Sequence, residues 1–398
     1  MFKYIIFCAL ALILINASET LSQSNINPDI SLIGTFNTHT NFSKDAPDKG
    51  KIIFEDPSLE LYIDGYLNPY ARATADISYE EGEFGVEEIY ANIVRGLPLD
   101  IQVKAGKFLL GFGKLNTVHA HAWPFLERPL YQQIYFGPEG FNDIGVNFSF
   151  LIPTTEFYTT LDLGIFKGDA IGRAENPEIA SSDINNLRGY SPIFVGRLGS
   201  FFSLNDYNNL EIGISGSYGI HAESSYYYSC SGAEISRNDP LHYLYSGLDL
   251  KYKYRPDAYT AVTIQGEALY NNREVLKSDP VLQTGDMNFQ EDKINTFGAF
   301  IFIDYLFEKK YSIGIKYDFT YGIPGDEPSF NTLSNDDKNK TTGISGWLGY
   351  YPIEETIAVR IGVQHLIYNI ADEPGRNNDT SVKLQLIFSL GPHKAHPF

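Results

Sequence analysis

The tightest constraint on this chain is a period of two that recurs along nearly its whole length. In TSVKLQLIFSL, Val382, Leu384, Leu386 and Phe388 share one face, and Lys383 and Gln385 share the other. YSIGIKYDFTYG sets Tyr311, Ile313, Ile315, Tyr317 and Phe319 against Ser312, Gly314, Lys316 and Asp318. DIQVKAGKFL and TIAVRIGVQHLIYNI alternate in the same way, the latter placing Arg360 opposite Ile357, Val359 and Ile361. Alternation of this kind marks a strand with one apolar face. About sixteen segments read so, near 29–39, 58–66, 69–80, 86–95, 99–110, 141–151, 155–166, 191–203, 209–221, 242–254, 259–273, 294–307, 311–321, 341–351, 356–370 and 380–390. A tilted strand crosses a bilayer in roughly 9–11 residues, and these segments are long enough to do so.

The connections alternate between short (67–69, 96–99, 153–155, 204–209, 255–258, 308–310, 352–355) and long (about 40–57, 111–140, 167–190, 222–241, 274–293, 322–340, 371–379). The loop at 81–85 is short but falls in the long set. That parity is expected when all turns of one kind lie on one side of a membrane. A soluble sandwich, the alternative all-β reading, has no reason to keep it. Aromatics make up 14% of the chain, with 28 Tyr and 27 Phe against 2 Trp. Tyr79, Tyr218, Tyr252, Tyr254, Tyr270, Tyr311, Tyr321, Tyr350 and Tyr351 fall near strand ends, where a membrane barrel carries its aromatic girdles. The opposite faces carry Arg72, Asp76, Glu88, Lys104, Asp162, Arg197, Asp249, Lys316, Asp318, Arg360 and Lys383. Polar inside and apolar outside suits a closed barrel in lipid, where no backbone edge is left unpaired. The fold expected is therefore all-β: a transmembrane, antiparallel, up-and-down β-barrel of about sixteen strands (14–18), with long extracellular loops and short periplasmic turns.

The N-terminus, MFKYIIFCALALILINASETLSQ, has a lysine, an apolar stretch and then small and polar residues, the pattern of a secretory signal peptide. Residues 1–22 are read as that signal and 23–398 as one barrel domain. Cys230 is the one cysteine beyond the signal, so no internal disulfide is expected. The formal net charge of −19 argues against a nucleic-acid partner. No G-x-S-x-G, H-E-x-x-H or Walker pattern is present, and no enzyme activity is expected.

The most distinctive segment is the long loop at 111–140, with His119, His121, Trp123, Phe125, Glu127 and Arg128 in NTVHAHAWPFLERP. A loop so aromatic and so stiffened by proline is expected to fold into the lumen and narrow it. His119 and His121 are two apart, as are the ligands of a chelate on an extended segment. His393 and His396 near the C-terminus make a second pair, though the topology puts the two pairs at opposite ends of the barrel. No cofactor is required by this reading, and zinc is the metal such histidines would suit.

The pieces NPDISLIG, YARA with ISYEEGEFGVEEIYA, KAGKFLLGFGKLNTVHAHAWPFLERP, FGPEGFNDIGV and SLGPHKAHPF resemble a family of porin-like outer-membrane β-barrels of Gram-negative bacteria. Its members are often labelled zinc-regulated outer-membrane proteins or receptors. The matching pieces run from the mature N-terminus to the last residue, while about 170–340 matches only as alternating strands. The resemblance implies a channel in the cell outer membrane and a tie to metal supply. It also implies that Phe398 is the signal read by the barrel assembly machinery, although the alternating strand ends at Leu390 and Phe388 is the competing residue. The chain is too short for the globular plug and twenty-two strands of an energised receptor.

These readings converge on passive diffusion of small hydrophilic solutes or ions. A mild cation preference is expected, because the acidic surplus lies in loops and turns: Asp45, Asp48, Glu55, Asp56, Glu175, Glu178, Asp183, Asp326, Glu327, Asp336, Asp337, Asp372 and Glu373. Two alternatives stand beside it, a zinc-linked uptake channel or receptor and an occluded structural or adhesive barrel. The partners expected are outer-membrane lipid, the assembly machinery and the solutes or cations themselves, with a homotrimer as the assembly open to such a barrel.

Overall fold

The computed structural model describes residues 28–391 except 45, 47, 81, 155, 171–191, 229–233, 281–286, 323–339, 354–355 and 370–377, and only the backbone of 221–228, 234–241, 275–280 and 287–292. The signal segment, Cys230, His393, His396, Phe398 and the acidic residues Asp45, Glu175, Glu178, Asp183, Asp326, Glu327, Asp336, Asp337, Asp372 and Glu373 lie outside the described residues.

In chain order the strands are β1 (Asp29–Asn41), β2 (Ile53–Phe54), β3 (Ser58–Asn68), β4 (Ala71–Glu80), β5 (Glu83–Ile93), β6 (Gln102–Leu109), β7 (Asn142–Ile152), β8 (Tyr158–Phe166) and β9 (Ile193–Asn205). They continue with β10 (Asn208–Tyr228), β11 (Glu234–Tyr254), β12 (Ala261–Pro280), β13 (Met287–Phe307), β14 (Tyr311–Tyr321), β15 (Lys340–Ile353), β16 (Ile357–Asn369) and β17 (Asn378–Leu390). Consecutive long strands pair antiparallel, and the sheet closes where β1 pairs β17 from Leu32↔Leu390 to Asn41↔Ser381. On its other side β1 pairs β3, from Asp29↔Asp64 to Thr35↔Ser58. The two-residue β2 only adds to the outer end of β1, at Thr38↔Phe54 and His39↔Ile53. The result is a closed antiparallel barrel of sixteen strands. Closure satisfies every ladder internally, which is the condition for a sheet to span lipid.

The alternation read in the sequence becomes an inside and an outside. Along β14, Tyr311, Ile313, Ile315 and Tyr317 are exposed, while Ser312, Lys316, Asp318 and Thr320 are buried. An outward apolar band of this kind is the lipid face of a membrane barrel. Near one rim Tyr305, Phe307, Tyr311 and Tyr350 stack in succession, with ring centroids 5.7, 5.2 and 5.4 Å apart, giving part of a girdle. Tyr351 departs from the girdle expected of it. The register shifts between Tyr350 and Ile353, and the Tyr351 ring packs with Ile33, Ala358 and Ile387 inside the barrel.

Two hairpins are longer than the sequence alternation suggests. β10 pairs β11 in register from Asn208↔Tyr254 to Tyr228↔Glu234, and β12 pairs β13 out to Pro280↔Met287. At about 3.3 Å per residue these strands outrun a bilayer core of roughly 30 Å even when tilted. Their outer parts continue by cross-strand backbone pairing.

The core lies within the lumen. Phe112, Trp123, Phe125, Tyr131, Tyr135, Phe136 and Phe141 of the inserted segment cluster with Tyr243, Tyr245, Phe300, Phe302 and Trp347 of the wall, all buried. The expected polar interior thus holds for much of the wall but not for its middle. Rings on the inward faces of β11, β13 and β15 meet rings brought in by the loop, and aromatic pairs pack edge to face and offset, as Phe125 does with Phe302 (5.2 Å) and Trp347 (5.8 Å).

Candidate functional site

Residues 110–141 leave β6, cross the lumen and return to β7. Their ends are tied together first. Leu110 N–H donates to the Phe141 carbonyl (2.8 Å). The buried Asn116 side chain donates to the carbonyls of Leu110 (2.8 Å) and Phe141 (3.0 Å) and accepts from Phe141 N–H (2.8 Å). One amide therefore uses both of its faces to close the segment into a compact unit. Within it are two 3₁₀ turns, Leu115–Thr117 and Ala120–Ala122, and a short helix, α1 (Leu130–Phe136). Pro129 precedes the first residue of α1, and Gly137, at φ 74°, ends it in a conformation that favours glycine.

Wall groups then pin the unit from β3 round to β17. Glu267 on β12 is the main anchor. Its Oε1 accepts from the backbone N–H of Lys114 (3.0 Å) and Leu115 (2.6 Å), and its Oε2 accepts from the Tyr131 hydroxyl (2.8 Å). Asp318 on β14 accepts from Leu130 N–H at the start of α1 (3.1 Å). Lys316, fully buried, donates to the Glu127 carbonyl (2.7 Å), pairs Asp318 (3.2 Å) and lies 4.7 Å from the centre of the Phe125 ring. Arg360 donates to the His121 carbonyl (3.1 Å), and Lys383 reaches Glu127 (3.2 Å) and Glu55 (3.6 Å). Lys114 pairs Glu211 on β10 (2.5 Å). Small wall residues make room: a Cβ on Gly298 would overlap Tyr131, and one on Gly362 would crowd Leu126.

A second group forms where the loop meets β3–β5. The His119 Nδ1 lies 3.5 Å from Asp76 and 3.8 Å from Glu87, and its Nε2 donates to Glu88 (3.1 Å). The His121 Nδ1 lies 3.0 Å from Glu60, and the two imidazoles are nearly parallel with centroids 5.8 Å apart. Glu88 also accepts from Leu109 N–H (2.9 Å), with Lys104 Nζ 3.9 Å away. Burial works against a charge on His119. The hydrogen bond and charge of Glu88, with the charges of Glu60 and Asp76, outweigh it and carry the imidazole pKa up to about 9. Arg128, stacked 4.7 Å over Trp123, is held down to about 10 by burial. Beside this group a cavity of about 320 Å³ is lined by His121, Trp123, Gln265, Asp304, Arg360 and Thr356 among others, and reaches Ile357 at the start of β16.

Of the residues named from sequence, His119, His121, Trp123, Phe125, Glu127 and Arg128 lie within the inserted unit, and Asp76, Glu88, Lys316, Asp318, Arg360 and Lys383 touch it. Lys104 joins through Glu88. Three lie apart from it. Arg72 pairs Asp64, Asp162 accepts from Ser149, and Arg197 makes two bonds to Asp249 (3.1 and 2.5 Å). The structure adds Glu60, Glu87, Glu211, Glu267, Asn116 and Tyr131. Glu267 stands on the polar side of TIQGEALY, so its parity marked a lumen residue, but parity gives no partner.

No family model matches the chain. It is 28% identical over 348 residues to an uncharacterized protein of Aquifex aeolicus, covering 85% of this chain and 69% of that one. Its fold is that of solved outer-membrane barrels. OmpT, an outer membrane protein of Vibrio cholerae, superposes with a TM-score of 0.51 at 9% identity over 94% of this chain and all of that one. OprB of Pseudomonas putida gives 0.52 at 9% identity over 92% and 94%. An anion-selective porin from Comamonas acidovorans gives 0.51 at 10% identity over 92% and 100%.

Proposed function

We propose that the protein is a channel of the porin kind in the cell outer membrane, through which small hydrophilic solutes or ions diffuse passively past a constriction made by residues 110–141. The observation that carries this reading is the inserted segment, held in a closed sixteen-strand barrel by charged wall groups on β4 and β5 and, across the lumen, on β12 to β17. Segments that fold into a barrel and meet its charges set the size and charge of what passes. Solved barrels of the same fold include porins, which supports a channel; one of them is anion-selective, so the side chains rather than the fold decide selectivity. For this chain the carboxylates Glu60, Asp76, Glu87 and Glu88 beside the loop, with Asp48, Glu55 and Asp56 at the outer end of β1, favour cations. Lipid, the assembly machinery and two further copies of the chain, as in the trimer form of OmpT, are the partners this reading takes.

The aromatic cluster across the lumen favours one second reading, a barrel shut until the loop yields. Planar-bilayer recordings of the refolded protein under a salt gradient separate the two. Discrete steps with a reversal potential on the cation side support the proposal. A potential on the anion side keeps the channel and rejects the charge argument. Silence from a correctly folded barrel rejects passive diffusion and leaves the shut barrel.

A further inference from the structure

We propose that Glu60, Asp76 and His119, with Glu87 and His121 beside them, bind one divalent first-row transition cation where the inserted segment meets the wall. One ligand atom from each of Glu60, Asp76 and His119 already lies within 4.8 Å of the others. Around a tetrahedral zinc ion, ligands about 2.0–2.2 Å from the metal stand roughly 3.3–3.6 Å apart, so a closure of about 1 Å completes the set. The three come from separate places, β3, β4 and the loop, so the fold rather than local sequence assembles them.

Three further observations point to a cation. Asp76 is 1% exposed, yet among the described residues its Oδ1 has no hydrogen-bond partner. A buried carboxylate oxygen is ordinarily paired or bound to metal. Next, the β4–β5 ladder steps from Asp76↔Glu88 to Ile77↔Val86, leaving Glu87 as an extra residue in β5. Such a bulge re-aims a side chain, and here it lets Glu87 and its neighbour Glu88 both approach the His119 ring. Finally, Glu88 holds the His119 Nε2 (3.1 Å), which leaves Nδ1 turned toward Asp76 and Glu87. A carboxylate on the far nitrogen is the arrangement that orients a metal-ligating histidine. The imidazole ligand favours zinc and the later first-row metals over calcium and magnesium, which take oxygen alone. The site does not depend on conduction through the lumen and stands or falls separately from it.

The test is calorimetric titration of the chelator-treated, detergent-folded full chain with zinc chloride, in the presence of excess calcium. One zinc per chain is expected. Asp76→Asn and Glu60→Gln, which keep side-chain shape, should each weaken it at least tenfold, and Glu88→Gln by roughly 10–100-fold through ring orientation. The double variant His393→Ala/His396→Ala should bind as the unaltered chain does. Cobalt in place of zinc supplies a readout on the unaltered chain, a visible spectrum that His119→Gln abolishes. The proposal is overturned by the absence of saturable one-site binding, by loss of binding in calcium, by binding indifferent to Asp76→Asn, by binding lost in the tail variant, or by a cobalt spectrum that survives His119→Gln.

Discussion

Glu267 is the point at which the inserted segment should be easiest to loosen without harming the barrel. It is buried, on β12, and accepts from Lys114 N–H, Leu115 N–H, the Tyr131 hydroxyl and the Gln265 amide. Glu267→Ala removes all four acceptances at once. An orphaned buried donor costs about 1–3 kcal/mol. The cavity beside Leu115 and Gln265 gives water access to some of the freed groups, so the lower end applies. The Leu115 and Lys114 amides and the Tyr131 hydroxyl then total about 3 kcal/mol. At about 1.4 kcal/mol per factor of ten, the undocked population of the segment rises roughly a hundredfold. Hydrogen exchange followed by mass spectrometry reads this directly, because exchange from local opening scales with that population. Peptides spanning 110–141 should exchange about a hundredfold faster, while strand peptides from β14–β16 keep wild-type rates. Glu267→Gln retains a carbonyl acceptor and should fall within about tenfold of wild type. Loop exchange in Glu267→Ala within threefold of wild type would refute the anchoring role.

Other substitutions probe the remaining contacts. Phe125→Ala empties the space between Phe302 and Trp347 and should weaken loop docking by about 3–5 kcal/mol, seen as faster exchange over 110–141 and larger current noise. Gly298→Ala drives a methyl into Tyr131 and should cost about 1–3 kcal/mol, with the loosening confined to α1. On the outer face, Ile315→Arg should destabilise insertion by about 2–4 kcal/mol in a urea titration of vesicle-folded protein, with no effect on loop exchange.

The strands were legible because lipid and lumen impose opposite demands on alternate residues, and β14 obeys them at every position from Tyr311 to Asp318 save the small Gly314. The outer parts of β10–β13 were not legible. Beyond the membrane nothing selects for alternation, and a stretch such as HAESSYYYS carries no period that a reader could use. Within the loop, His119, Trp123 and Phe125 stood out by residue type. Asn116, which ties the loop shut, looks like any loop asparagine, and α1 has seven residues, too few to display a helical period. One signal was available. Tyr243, Tyr245, Phe300, Phe302 and Trp347 fall on the polar parity of their strands, and five rings turned into a lumen require something apolar to meet them.

Both tryptophans of this chain, Trp123 on the loop and Trp347 on the wall, lie in that one cluster, each a neighbour of Phe125. The lipid-facing surface, by contrast, carries tyrosine and phenylalanine but no indole. Intrinsic tryptophan emission is therefore silent about the bilayer and reports only whether the loop is seated. A barrel that has inserted with its interior unfinished would retain the red-shifted emission of wet indoles, and the blue shift would mark the moment the loop seats.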